Sequence, residues 1–389
     1  MKRNAIAFAI LAACSTFALN AQSAEPKPPL LKFKAETPLQ LPADRYFGEV
    51  AGVAQNSKGM IYVFARGNSS GPAYAATAAQ LLEFDQTGKF VREIGHNFYA
   101  WSFAHAVRTD KDDNIWVVDK GSNTVVKFFP DGRFADIYGR KEEASDFRNF
   151  PSRDIPKDPK APVQRLGLFD QPTDVAWDSK GNAYVSDGYE NSRVAKINKD
   201  GFWVKSWGER GTGPGQFLVP HGVAIDSKDN VYVADRGNAR VQVFNTDGKF
   251  LRQFSIRSQV PVYPVTDETP NPLPMFIKPT LVKRDNDDPN VPKAFPDKPP
   301  VNLTAVPGAP DAMCITPPGK GEQVLFLAGV NPSRIYKVSL DGKVLGMIGN
   351  PGGKPGEFRV IHALNCVDDH TLWVGDLFNW RAQRITIQQ

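Results

Sequence analysis

The chain has 389 residues, 41% of them hydrophobic, and carries 47 Lys and Arg against 42 Asp and Glu, a net charge of +5. That length permits a large core. The small, dispersed charge excess excludes a basic stripe for nucleic acid, and three cysteines are too few for a disulfide scaffold or a Cys-rich zinc site.

At the N-terminus Lys2 and Arg3 precede an apolar stretch from Ala5 to Ala13 that runs on loosely to Leu19, followed by the small residues of "AQSA". This predicts a secretory signal peptide over 1–24, too short for a membrane span, and a mature chain 25–389 in the periplasm or outside the cell. "LAAC" offers a competing lipoprotein signal with Cys14 as the lipidated residue. It is the weaker reading, because the apolar region before Cys14 is short and continues as "STFAL" after it. Nothing later in the chain is apolar for long enough to cross a bilayer as a helix. The segment Leu30 to Leu41 is the candidate strand to pair with the last repeat.

From residue 46 one pattern recurs in six units, at about 46–95, 103–139, 168–208, 215–254, 311–349 and 356–388. Each has an apolar run, a polar turn such as "DSKGN", an alternating run such as "AYVSD", and a hairpin such as "NKDGFW". Glycine in these turns accepts the positive φ that tight hairpins need. Self-similarity at roughly 40–45 residues with four strands per unit predicts an all-β, six-bladed β-propeller with four-stranded antiparallel blades. Two insertions interrupt it, about 140–166 and 255–310. Their prolines, as in "NPLP" and "VPGAP", cannot sustain sheet hydrogen bonds. Loops of that length are functional lids or unstructured excursions, and the sequence leaves both open.

His105, His221 and His362 each lie fourteen residues before an aspartate that ends a strand-like run: Asp119, Asp235 and Asp376. Equal position within a blade means equal height and radius, so three imidazoles from the second, fourth and sixth blades converge on the axis. The third unit has Thr173 there. Three neutral imidazoles with a fourth position open to water or substrate suit zinc; the competing reading is a polar residue that merely caps the channel. Arg66, Lys120, Gly188, Tyr189, Arg236 and Leu377 follow the ends of second strands and are expected on the same face as the histidines. His96 and His370 sit at a strand end and in a turn, and take no role. Cys314 and Cys366 are expected as small buried apolar side chains, with one disulfide as the alternative.

The passage from "LFDQPTDVAW" through "SDGYENSR" and "VPHGVA" to "DRGNARVQVF" resembles tandem NHL repeats. With "FARG", it is more specifically similar to the catalytic domain of the peptidyl-α-hydroxyglycine α-amidating lyases, and the likeness extends over nearly all of the mature chain apart from the insertions. The resemblance implies a catalytic zinc on His105, His221 and His362, with Tyr189 and Arg66 catalytic and Arg66 and Arg236 binding substrate. It implies cleavage of the C–N bond of an N-acyl or peptidyl α-hydroxyglycine to a primary amide and glyoxylate, the partner being a small-molecule or peptide substrate; a monomer is a separate expectation.

Three positions depart from the family. Its methionine two residues before the last histidine is Val360 here. The aspartate after that histidine, which helps hold a structural calcium, is Ala363, so calcium on the backbone carbonyls of Val53 and Val107 lacks its carboxylate. The cysteine after the "SDGY" tyrosine is Glu190, which removes a family disulfide. The rival reading is a non-catalytic propeller that binds a peptide, glycan or envelope protein. Each arginine also has a structural rival role, as partner to a strand-end aspartate such as Asp187 or Asp235.

Overall fold

Runs such as Ile61–Ala65 and Val231–Asp235 are buried at every residue rather than at alternate ones. A strand covered on both faces needs apolar side chains on both, and packing each blade between two neighbours supplies that cover. The computed structural model describes residues 28–67, 79–141, 167–260, 308–319, 321–330 and 332–388. The expected signal peptide, Cys14 and most of both proline-rich insertions lie outside the described residues.

Six four-stranded antiparallel sheets form the propeller. Their inner strands are Val50–Gln55, Ala104–Thr109, Pro172–Trp177, Pro220–Ile225, Pro310–Ile315 and Ile361–Cys366. In the sixth blade the outer strand is Phe33–Glu36, which pairs antiparallel with Arg381–Ile387. The ring is therefore closed by the N-terminal segment, as the sequence suggested.

The turns follow their residues. Hairpin glycines Gly88, Gly132, Gly201, Gly248 and Gly342 all have positive φ. In the first and third units the inner turn uses Gly59 and Gly181 at φ 80° and 83°, whereas the second and fourth place Asp113 and Asp229 there at 62° and 61°. A left-handed aspartate is strained relative to glycine. Here it gains partners in the preceding blade: Asp113 accepts from Ser57 N and Oγ at 2.8 and 2.7 Å, and Asp229 from Ser179 N and Oγ at 2.7 and 2.7 Å. The strained turn doubles as a blade-to-blade latch.

Each inner strand begins with the same irregularity. Its register with the second strand shifts by one residue, which leaves Ala51, His105, Thr173, His221, Asp311 and His362 outside the ladder. A bulge of this kind bends the strand and re-aims a side chain. Six equivalent bulges give six equivalent positions at one end of the channel.

Further along the channel, Arg108 of the second blade makes a bidentate pair with Asp174 of the third, Nε to Oδ1 at 2.8 Å and Nη2 to Oδ2 at 2.7 Å. Its guanidinium also donates to the carbonyls of Leu364 in the sixth blade and Met313 in the fifth. Asp174 accepts from Val223 N of the fourth at 3.3 Å. One ion pair thus joins five inner strands. Cys314 and Cys366, on the inner strands of the fifth and sixth blades, are disulfide-bonded with Cα atoms 5.7 Å apart. This corrects the expectation of two buried thiols: adjacent blades bring two inner-strand positions, one residue out of repeat register, within bonding range.

Removing one partner of a buried ion pair leaves an uncompensated charge, whereas removing both does not. Arg108→Met is expected to lower unfolding stability by about 3–5 kcal/mol, and Arg108→Met with Asp174→Leu to regain most of the loss. Urea denaturation midpoints measure this. A single variant as stable as the parent would mean that the pair does not tie the blades.

Candidate metal and anion site

The three histidines occupy bulge positions of the second, fourth and sixth blades. Their Nδ1 atoms lie against the carbonyl oxygens of the next blade's bulge residues: His105 against Thr173 at 2.6 Å, His221 against Asp311 at 2.7 Å and His362 against Ala51 at 2.8 Å. A carbonyl only accepts, so each Nδ1 carries the proton and donates it. The neutral ring then keeps its lone pair on Nε2. Burial holds all three imidazoles well below the usual histidine range; for His105 the other two histidines add to it, for His221 Arg236, and for His362 Arg66. Three neutral rings with centroids 4.6, 4.8 and 5.2 Å apart therefore present lone pairs to one point.

Their candidate ligand atoms all lie within 4.8 Å of one another, and this is the group of metal-ligating side chains found among the described residues. The donor set fits a metal that prefers nitrogen and tolerates an open position. The tautomers are already those that a metal requires.

Tyr189 reaches this point from the third blade. Its hydroxyl is 3.0 Å from His221 Nε2 and 3.3 Å from His105 Nε2. Gly188 makes the approach feasible, since a Cβ there would sit 1.9 Å from the carbonyl oxygen of Pro220, the residue before His221. The glycine of "SDGY" is thus required by close passage of two backbones rather than by an unusual φ.

Arg66 and Arg236 flank the histidines, and both have acidic partners that sequence reasoning missed. Arg66 donates Nη1 to Glu49 Oε2 at 2.9 Å and Nε to the Ala104 carbonyl at 2.8 Å, with its guanidinium 4.0 Å from the centre of the Phe103 ring. Arg236 donates Nη1 to Asp311 Oδ1 at 2.8 Å, while its buried Nε has no partner among the described residues. The strand-end aspartates are engaged elsewhere, Asp187 with Arg193 and Asp235 with Arg240. Asp311 was legible: "PD" at 310–311 stands at the repeat position of "PH" at 220–221. Glu49 carried no such signal.

Lys120 completes the ring. It follows the second strand of the second blade, and its ammonium lies 3.7 Å from the centre of the Tyr189 ring and 5.4 Å from that of Phe103. Leu377 and Val360 belong instead to an apolar cluster with Phe64 and Trp101. Glu190 is exposed. His96 and His370 lie beside Glu93 and Asp369 at the surface, away from the site.

Val53 and Val107, whose carbonyls the calcium expectation invokes, lie on the inner strands of the first and second blades. Val53 is buried in an apolar cluster, Val107 lines the channel, and Ala363 supplies no carboxylate. The cation on the inner-strand carbonyls is the guanidinium of Arg108.

The NHL repeat family model matches residues 169–197 and 217–244. A peptidylglycine alpha-amidating monooxygenase of Rattus norvegicus is 33% identical over 230 residues, covering 53% of this chain and 22% of that protein. A probable peptidyl-alpha-hydroxyglycine alpha-amidating lyase of Caenorhabditis elegans is 26% identical, over 57% of this chain and 62% of that one. NHL repeat-containing protein 3 of Homo sapiens is 30% identical, over 50% and 51%. The chain thus spans less than two thirds of the length of these relatives. Among solved structures, a gluconolactonase from Xanthomonas campestris aligns with TM-score 0.52 at 12% identity over 94% of this chain and 96% of that one, a likeness of fold alone. The chain is a six-bladed β-propeller with NHL repeats that resembles the peptidyl-α-hydroxyglycine α-amidating lyases.

Proposed function

We propose that the protein is a zinc-dependent lyase that cleaves the C–N bond of an N-acyl or peptidyl α-hydroxyglycine, giving a primary amide and glyoxylate. The observation that carries this reading is the convergence of three Nδ1-protonated histidines on one point, with the Tyr189 hydroxyl against His221 and His105 and guanidinium groups beside them. The names of the relatives support the same chemistry. All the ligands come from one chain, which suits action as a monomer. The disulfide suits an oxidising compartment and with it the exported location expected from the N-terminal segment.

His105, His221 and His362 would hold zinc through Nε2. Zinc bound there supplies a Lewis acid that acidifies the carbinol hydroxyl of the substrate. Tyr189 removes that hydroxyl proton. The freed electron pair closes the C=O bond of glyoxylate as the C–N pair leaves with nitrogen, which takes the proton from Tyr189 to become the primary amide and returns Tyr189 to its starting state. Arg66 and Arg236, steadied by Glu49 and Asp311, turn their remaining N–H groups toward the substrate carboxylate, for which the planar guanidinium is suited.

Purified protein is expected to contain one zinc ion per chain and to release glyoxylate from α-hydroxyhippurate. No stoichiometric zinc would favour the non-catalytic binding propeller, and zinc without glyoxylate a different carbinolamine or ester substrate. Tyr189→Phe should keep its metal while kcat falls by about 10²- to 10⁴-fold; parental turnover would remove Tyr189 from the chemistry.

The histidines also set an acid limit. Their folded pKa values are depressed, so below the unfolded value of about 6.5 the unfolded chain binds protons that the folded chain does not. Their contribution to stability is complete above that pH and falls as pH drops below it, by up to about 1.4 kcal/mol per pH unit for each ring. Metal-free protein should therefore melt markedly lower at pH 5 than at pH 7.5, and a variant lacking all three imidazoles should lose that part of the difference. Equal pH dependence in both would contradict it.

A further inference from the structure

Each guanidinium of the site has its own carboxylate, Arg66 with Glu49 and Arg236 with Asp311. Lys120 does not. Among the described residues its ammonium makes no hydrogen bond or ion pair, and its contacts are the faces of Tyr189 and Phe103. The mouth therefore holds three cations and two buried anions, and the unbalanced charge is that of Lys120.

We propose that Lys120 is a third, charge-recognising contact of this site, its ammonium sharing the substrate carboxylate with Arg66 and Arg236 and supplying the positive charge that no described protein carboxylate offsets. The proposal rests on the lyase reading for the identity of the substrate, but not for the recognition of an anion. A positive charge removed from water persists where a partner arrives to compensate it, and among the described residues no protein group fills that place. Burial first, then the fields of Arg66 and Arg236, pull the Lys120 pKa down to about 8, while Glu190 on the rim opposes this only weakly. A bound carboxylate relieves that strain. The seat is also directional: with the ammonium over the ring whose hydroxyl faces His105 and His221, an anion held by Lys120 lies beside the point where the histidines converge.

The test uses zinc-loaded protein, Lys120→Met and Lys120→Arg, with α-hydroxyhippurate as substrate and hippurate and its uncharged amide as binding probes. Lys120→Met should raise KM for α-hydroxyhippurate and Kd for hippurate about 10- to 100-fold, leave kcat within about threefold, and leave binding of the amide unchanged. Lys120→Arg should restore most of the loss. Parental KM and hippurate affinity in Lys120→Met would overturn the proposal, as would equal weakening of hippurate and its amide, or no hippurate binding by the parent. Should the parent bind hippurate through Lys120 yet release no glyoxylate, the lyase reading fails while the anion site stands.

Discussion

The geometry of the site depends on a hydrogen bond repeated between blades. At the start of each inner strand a bulge frees one residue from the ladder, and in alternate blades that residue is a histidine whose Nδ1–H donates to the bulge carbonyl of the next blade. The bond fixes ring orientation, tautomer and height together. It also makes the site a property of the closed ring, since each imidazole is aimed by a blade other than its own. The bond of His362 to Ala51 crosses from the sixth blade to the first. Closure by Phe33–Glu36 against Arg381–Ile387 therefore bears directly on the three candidate ligands.

The same principle governs the cations. Arg66 donates to the Ala104 carbonyl of the next blade and Arg236 to Asp311 of the next blade, so both guanidinium groups are set by inter-blade contacts. Farther down the channel, Arg108 and Asp174 gather five inner strands onto one ion pair. A rigid axis beneath and latched turns at the far end leave the mouth as the place where charge remains uncompensated.

Periodicity made much of this legible. Blade count and the convergence of His105, His221 and His362 follow from equal repeat positions, and the ends of second strands placed Arg66, Tyr189 and Arg236 nearby; the closing strand lies outside the repeat and is a candidate only by its place before the first unit. Partners set by tertiary contact were less accessible. Arg236 turns away from Asp235, its sequence neighbour, to Asp311 seventy-five positions on, and Glu49 pairs with Arg66 only because the first blade folds back on itself. Arg108 and Asp174 looked like ordinary strand residues because the axis they share is invisible in a linear pattern. Cys314 and Cys366 occupy adjacent blades, and spacing along the chain does not tell contact from mere proximity.

X-ray absorption at the zinc edge of the metal-loaded protein tests the central claim most directly. Three imidazole nitrogens from His105, His221 and His362, aimed by neighbouring blades, predict a shell of three such scatterers at about 2.0–2.1 Å, reduced to two when His362 is replaced by alanine. A shell dominated by sulfur or carboxylate oxygen, or one unaltered in that variant, would contradict it.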